Sequence, residues 1–443
     1  MKKLFGIGAA VLCSLVVLFT GCSSPSAPST PEPVLDKIEI TTEPTKKEYF
    51  VGAAALDLAG MKVTAIYSDG NTKDVTTEVT TSGFDSSKAV ESQTITVTYG
   101  GKTATFTVKI KESQPYSFHD TVTALPSGTT GSYGTDATYV EFGDWPQDVV
   151  PVADVAVFGL ETSTKKVTRG YMEFVQGLDG NYYVKCEEDA VDSGYKYNKD
   201  NSDVGRNKKT SRWFKVMPIK WRVADSAYDV DGNTGTTTGK LLVAENILTG
   251  NVLYYAYYKT TDNHRNGTYL NNYMHSQIRA YLNGISYNAE KEFDEGKWLD
   301  KGFLQTAFTS DAINKIITTK VDNSKDSTTD KDGKITKATI YACDPTDDKI
   351  FLLSEYEVTK YSKEAYNSYG KGNSRIRVTT DFAKANFVNQ STTDGYGGYW
   401  WLRSPHYLDS YEAYRIDYKG EADSRNPVDY TGFGVVPALS ISF

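Results

Sequence analysis

Apolar and polar positions alternate with period two along the first folded stretch of the chain. Residues 35–40, 61–67, 94–99 and 103–110 each read as a strand with one apolar face. Ser68-Asp69-Gly70-Asn71 and Gly100-Gly101 punctuate them as turns. Short alternating runs of this kind over residues 35–112 predict a small all-β sandwich.

The pattern changes between residues 138 and 443. Strands are predicted at 139–142, 181–185, 213–216, 219–223 and 240–245, with Met217-Pro218 separating the third from the fourth. Met274, Ile278, Tyr281 and Leu282 then share one helical face, after Asn271-Asn272 as a cap and before Gly284 as a stop. Further helices are predicted at 303–308, at 310–317 behind Ser310, and at 380–387, with a buried strand at 350–353. The Asp/Lys/Ser/Thr run 322–334 reads as an exposed loop, and no repeat of solenoid period is present. Scattered strands, a few helices and long loops predict an α+β domain. The Gly/Ser/Thr-rich residues 113–137 read as a linker into it.

Composition adds to this picture at two points. The chain carries 32 Tyr and 36 Gly and a formal charge of −8, without a Lys/Arg-rich stripe, which argues against a nucleic-acid partner. At the N-terminus, Lys2 and Lys3 precede an apolar run from Leu4 to Phe19 that ends in Thr20-Gly21-Cys22. That is a secretory signal in form, too short to span a membrane. Leu18-Phe19-Thr20-Gly21-Cys22 resembles a bacterial lipobox, with Phe19 where Leu is usual. The resemblance implies a signal peptide at 1–21, a lipidated Cys22, a Ser/Pro tether at 22–34 and a bacterial outer-membrane lipoprotein exposed at the surface. Cys13 leaves with the signal, so only Cys186 and Cys343 remain, as one disulfide or as two thiols.

Motifs for catalysis are weak. Asp330 to Ile335 looks like part of a calcium loop, but Thr328 and Thr339 occupy its first and twelfth positions, so a hairpin turn is the better reading. Asp229 to Asn233 reads as a solvated turn in the same way. None of His119, His264, His275 and His406 stands at metal-ligand spacing from another His, and no metal ligand is assigned. No nucleophile elbow and no phosphate-binding glycine motif is present, and the many carboxylates suggest no specific pair.

Two resemblances are carried by longer stretches. LDKIEITTEPTKKEYFVG and VTYGGKTATFTVKI resemble bacterial immunoglobulin-like domains, which implies a stalk. YVEFGDWPQ, PIKWRV, LLVAENIL, SQIRAYLN, DKIFLLSE, WWLRSP and GVVPAL together resemble the spirochaete variable lipoproteins typified by Treponema variable protein. That family implies a C-type-lectin-like fold of the formylglycine-generating-enzyme subclass, with a segment near the C-terminus (400–443 here) rewritten by a diversity-generating retroelement. Carried over, Trp400, Trp401 and Arg403 are scaffold, with Arg403 holding a loop carboxylate. The ligand-binding face is then His406, Tyr407, Asp409, Ser410, Tyr411, Tyr414, Tyr418, Asp423, Ser424, Asn426, Asp429 and Tyr430. Leu408, Ala413, Ile416, Ala422 and Val428 are its small apolar anchors. Tyr with Ser, Asn and Asp is also the composition of antibody contact surfaces.

The sequence departs from the family's chemistry in two respects. The Pro-containing and Trp-Asn-Asp signatures of calcium lectins are missing, and no Cys follows Cys343 to bind copper. The reading is therefore a non-catalytic, cofactor-free surface protein that binds an unknown protein or surface glycan and meets the membrane only through Cys22. The alternatives are a cell-envelope carbohydrate-processing enzyme and a structural or antigenic envelope lipoprotein.

Overall fold

The computed structural model describes residues 32–442 except 115, 188–210, 233–234, 256–263, 266–267, 288–295, 326–340, 365–368 and 407–408; at 187, 211, 264–265, 268 and 423–425 it describes the backbone alone. Cys22 and the tether up to residue 31, the calcium-loop-like stretch at 330–335, and Tyr407 and Leu408 lie outside the described residues. The chain forms two compact units. One comprises 32–46, 57–83 and 94–107, and the other comprises 47–56, 84–93 and 108–442.

In the first unit, β1 (Leu35–Thr42) pairs antiparallel with β3 (Lys62–Tyr67), which pairs with β4 (Thr72–Asp74). Residues β5 (Thr80–Ser82), β6 (Val90–Tyr99) and β7 (Lys102–Lys111) belong to a four-stranded sheet of order β2-β7-β6-β5. Alternation does what the pattern predicts: Ile38, Val63, Ala65, Ile95, Val97 and Phe106 are buried, while their neighbours in sequence face outward. Gly100 and Gly101 both hold positive φ at the β6–β7 turn, a conformation that side-chain-bearing residues resist. The fourth strand, β2 (Glu48–Phe50), is counted with the second unit, where it pairs in parallel with residues 109–111 of β7.

The second unit is built on a sheet of order β10-β11-β12-β13-β14-β24-β17. Its strands are β10 (Lys166–Arg169), β11 (Met172–Gln176), β12 (Tyr182–Glu187), β13 (Ser211–Asp229), β14 (Thr238–Ala244), β24 (Ala438–Ile441) and β17 (Ile316–Ile317). β8 (Thr123–Ala124) and β9 (Tyr139–Val149) add to β13, and β20 (Ile350–Phe351) adds to β24. Small ladders join β15 (His264–Arg265) to β16 (Thr268–Tyr269) and β18 (Thr319–Val321) to β19 (Thr346–Asp348). A separate three-stranded sheet carries β21 (Trp400–Pro405), β22 (Glu412–Ile416) and β23 (Ala422–Pro427).

Met217-Pro218 does not end a strand. β13 runs through it, and its register against β9 slips between Lys215 and Val216 and again between Pro218 and Lys220. Pro146 and Pro218 cannot donate to the ladder, so bulges absorb them while Trp145 and Trp221 stay fully buried. Both indoles donate to backbone oxygens, Trp145 to Leu248 at 2.8 Å and Trp221 to Phe142 at 2.7 Å.

The helices are short: α1 (Val152–Val157), α2 (Gln277–Asn283), α3 (Phe303–Ala307), α4 (Ser310–Lys315), α5 (Glu355–Lys360) and α6 (Asp381–Ala385). None of these reaches eight residues, so the architecture among the described residues is mostly β, with the few helices expected. The caps also differ in detail. Ser276 and not Asn271 or Asn272 caps α2, and Thr309 and not Ser310 caps α4, in each case by accepting a backbone N–H two or three residues into the helix.

Residues 113–137 do not form a free linker. β8 pairs with β9, and His119 accepts the N–H of Gly143 through its carbonyl. Asp144, fully buried, accepts the Tyr116 hydroxyl and the His119 N–H at 3.0 Å, and lies 2.7 Å from His119 Nδ1. Arg169 stands 3.9 Å from the same carboxylate and 4.3 Å from the Phe118 ring centre. Asp120 accepts the Thr309 hydroxyl at 2.6 Å, which ties this strap to the cap of α4. Cys186 and Cys343 are separate thiols, and burial pushes the Cys343 thiol up to about 11.

The hydrogen bond to Asp144 raises the His119 pKa, against a smaller opposing effect of burial. A raised folded value means the contribution is complete below the ordinary histidine pKa of about 6.5 and is lost as pH rises through the higher folded value. The second unit is therefore expected to lose stability from pH 6 upward, and His119→Asn to flatten that dependence. Urea titrations followed by Trp fluorescence test this, because all six Trp lie in the second unit. Parallel pH profiles for the two proteins would remove the role assigned to His119.

Candidate functional site

The aromatic run before β21 is fixed by close backbone approach. A side chain at Gly397 would meet the Arg377 carbonyl oxygen at 2.3 Å, so only Gly fits there. From that point Trp400, Trp401 and Leu402 enter the core with no exposed surface. The Trp401 backbone N–H donates to the Gly434 carbonyl at 3.0 Å, and the Gly434 N–H donates to the Tyr399 carbonyl at 2.8 Å.

Arg403 is also buried, and its partners are now defined. It pairs with Glu357 on α5 and donates to the carbonyls of Leu352 at 2.8 Å and Asp322 at 2.9 Å. Glu357 further accepts the Tyr228 hydroxyl at 2.9 Å and the Ser354 N–H at 2.8 Å. Burial pushes its carboxyl up, but the Arg403 charge and these donors outweigh that and hold it below the usual range. Burial alone would lower Arg403, but the Glu357 carboxylate and its hydrogen bond outweigh that and raise it. The carboxylate that Arg403 holds thus sits on a helix and not in a loop.

Of the nine expected face residues whose side chains are described, three are buried, five are half-buried and one is exposed. His406, Ser410 and Tyr414 are buried. Tyr414 lies on β22 beside the buried Ala413, and the His406 ring stands 5.8 Å from the Tyr414 ring. Ser410 is held inward because its carbonyl accepts the Asn271 N–H at 3.0 Å. Asp409, Tyr411, Tyr418, Asn426 and Asp429 are half-buried, and Tyr430 is 39% exposed. Tyr407 and the side chains of Asp423 and Ser424 lie outside the described residues. Ala413, Ile416, Ala422 and Val428 are buried beneath the sheet.

The half-exposed rings form a ladder instead of a field. Tyr396 stands 5.6 Å from Tyr418, Tyr418 5.4 Å from Tyr399, Tyr399 5.6 Å from Phe433 and Phe433 4.6 Å from Tyr430. Arg415 lies over the Tyr399 and Phe433 rings at 4.8 and 5.2 Å. The Tyr430 hydroxyl accepts from the Asn389 carboxamide at 2.8 Å, which fixes the last ring. Tyr396 and Tyr399 precede the Trp pair that marks the frame, so a search of the segment behind it missed them.

Tyr396 also lines a cavity of about 800 Å³. Its other walls combine the apolar Ile376 and Val378 with hydroxyl, amide and charged groups, among them Ser132, Asn246, Gln390 and Thr393. Glu245 reaches it from the end of β14 and is itself buried, accepting the Ser132 N–H. Arg377 stabilises that corner by donating to Ser132 Oγ at 2.7 Å and to the Ser374 carbonyl.

A second cluster forms at the start of the β21–β22 connection. His406 Nδ1 lies 3.2 Å from Asp409 Oδ2 and 3.5 Å from Glu412 Oε2. One ligand atom of each residue falls within 4.8 Å of the other two. Asn271 braces this turn, donating from Nδ2 to the carbonyls of Asp409 at 2.7 Å and Glu412 at 3.0 Å. The sequence signal is a spacing of three, His406-x-x-Asp409-x-x-Glu412, which a search for paired histidines does not see.

Comparison with known proteins matches two stretches of the chain. Residues 42–110 match the bacterial Ig-like domain of group 3, so the N-terminal module is Ig-like. Residues 238–443 match a domain of unknown function, DUF6273. The chain is 38% identical over 96 residues to pectate lyase L of Thermoclostridium stercorarium, covering 21% of this chain and 7% of that enzyme. It is 46% identical over 74 residues to the exo-beta-1,6-galactobiohydrolase of Bifidobacterium longum, covering 15% of this chain and 5% of that enzyme. The chain therefore spans less than a tenth of the curated relatives it matches. A solution structure of a protein described provisionally as a surface protein is 30% identical, covering 19% of this chain and 96% of that one, with a TM-score of 0.13. Among the described residues no helix is long and apolar enough to cross a membrane.

Removing one partner of a buried ion pair costs about 3–5 kcal/mol, because the other charge is left without compensation. Arg403→Ala is expected to lower the stability of the second unit by that amount in urea unfolding read by Trp fluorescence. Replacing Arg403 and Glu357 together with Leu should recover a large part of the loss. A single variant as stable as the parent would show that the pair does not hold β21.

Proposed function

We propose that this is a lipid-anchored surface protein whose second unit binds a neutral glycan along the Tyr396–Tyr418–Tyr399–Tyr430 ladder. The observation that carries the reading is that this ladder begins at the wall of the polar cavity, through Tyr396. A sugar presents an apolar C–H face and a rim of hydroxyls. The half-exposed rings suit the former, and the hydroxyl and amide groups of the cavity suit the latter. The names of the two enzymes that share a domain-sized stretch with this chain, a pectate lyase and a galactobiohydrolase, support a carbohydrate setting. The Ig-like module serves as the stalk, and binding is the task, not catalysis.

The reading includes a C-type-lectin-like scaffold for the larger domain. It is supported by a small sheet, β21–β23, set apart from a main sheet in which the last strand, β24, returns to β14. Where the family resemblance implies diversification, the burial pattern restricts tolerated change to Asp409, Tyr411, Tyr418, Asn426, Asp429 and Tyr430 among residues with described side chains. His406, Ser410 and Tyr414 are part of the core.

Two experiments address the two halves of the proposal. On an array of neutral and acidic oligosaccharides, the full chain is expected to retain neutral glycans. Tyr396→Ala with Tyr418→Ala should weaken retention at least tenfold while leaving the melting temperature nearly unchanged. No retained glycan, or equal retention by the variant, would sink the reading, and release of free sugar would replace it with a hydrolase. Separately, Cys22→Ser is expected to move the protein from the membrane fraction to the soluble fraction and to abolish incorporation of a fatty-acid label. Continued membrane attachment would exclude the lipid anchor.

A further inference from the structure

We propose that His406, Asp409 and Glu412 form a binding site for one divalent cation of the zinc class. The geometry makes the first argument. With metal–ligand bonds of about 2.0–2.1 Å, the ligand atoms of a tetrahedral site stand roughly 3.3 Å apart. The two measured edges from His406 Nδ1 are 3.2 and 3.5 Å, close to that figure before any adjustment. The third edge, between the carboxylates, lies within 4.8 Å and closes by side-chain rotation of Asp409, whose side chain is 39% exposed.

Charge makes the second argument. Two carboxylates meet at one imidazole that is almost wholly enclosed. An imidazolium brings one positive charge to two carboxylates, of which Glu412 is the more buried. A divalent ion balances both and takes the imidazole as a neutral ligand. The donor set of one nitrogen and two oxygens fits zinc. Calcium takes six to eight oxygens, more than these side chains offer, and does not favour an imidazole.

The surroundings make a third, independent argument. Asn271 is fully buried and its Nδ2 is committed to the backbone of both Asp409 and Glu412. Its Oδ1 makes no hydrogen bond among the described residues, and neither does the hydroxyl of the buried Ser410. Buried polar atoms of this kind call for a partner, which an ordered water or a bound ion can supply. A three-ligand zinc site keeps a fourth position for water, and a buried acceptor on the bracing residue suits such a water. The ion would then set the path of the chain from β21 into β22.

This inference does not depend on glycan binding. The test is titration of the EDTA-treated full chain with zinc chloride by calorimetry, with calcium and magnesium chloride as controls, together with thermal melts. One zinc per chain and a raised melting temperature are expected. Asp409→Asn and Glu412→Gln should each weaken zinc at least tenfold, while His275→Ala leaves it unchanged. His406→Ala risks misfolding because the ring is enclosed, so the more exposed Asp409 carries the decision. Absence of a zinc isotherm, preference for calcium, or full affinity in Asp409→Asn would overturn the proposal and leave the cluster as a histidine paired with two carboxylates.

Discussion

The Arg403 guanidinium ties three separate segments of the second unit to β21. One side chain joins β21 to α5 through Glu357, to the end of β20 through Leu352, and to the 322 loop through Asp322. A planar fork with five donors can serve three directions at once, which a lysine in the same place could not. The backbone of Arg403 is also engaged, its N–H with Leu353 at 3.0 Å and its carbonyl with the Tyr254 hydroxyl at 2.6 Å. With β21 fixed in this way, the chain leaves Pro405 at a defined place, and everything from His406 to Tyr430 is hung from that point. The ion pair serves specificity of arrangement as well as stability, since a greasy substitute would fill the volume without choosing among the carbonyls.

A second buried charge performs the corresponding task at the start of the unit. Asp144 gathers Tyr116, His119 and Arg169 and so brings a strap of Gly/Ser/Thr-rich chain onto β9. Its consequence is that the unit begins well before its first long strand. Composition alone reads such a stretch as a linker because it has little to bury, and it does bury little. What orders it is hydrogen bonding to the Asp144 carboxylate, whose desolvation demands partners, together with the β8–β9 ladder and the packing of Tyr116 and Phe118 on the core.

Local pattern made the strands of the Ig-like unit, the stop at Gly284 and the burial of Ile350 to Leu353 legible in the sequence. α5 was legible too, because Ser354-x-x-Glu357 forms a capping box, although the buried strand next to it drew the reading away. What could not be read is what depends on distance along the chain. Arg403 finds Glu357 46 residues away and His119 finds Asp144 25 residues away, and neither spacing has a local signature. Pro218 misled in the opposite sense, since a residue that cannot donate normally marks a strand end. Here a bulge pays for its presence and the strand continues.

Tyrosine is where the limits of composition are clearest. The segment behind the Trp pair is rich in Tyr and small polar residues, and the same residues suit an exposed contact surface or a packed sheet. Side-chain direction separates the two. On β22 Ala413, Tyr414 and Ile416 are buried while Arg415 is not, so Tyr414 packs inward and Arg415 covers the rings of Tyr399 and Phe433. The rings that stay accessible come from the turns and from the stretch before β21, not from the strands themselves. A surface assembled from Tyr396, Tyr399, Tyr418 and Tyr430 is discontinuous in sequence and continuous in space. It follows that a single run of residues could vary without moving the platform, so long as Phe433 and the glycines beside it keep the rings in line.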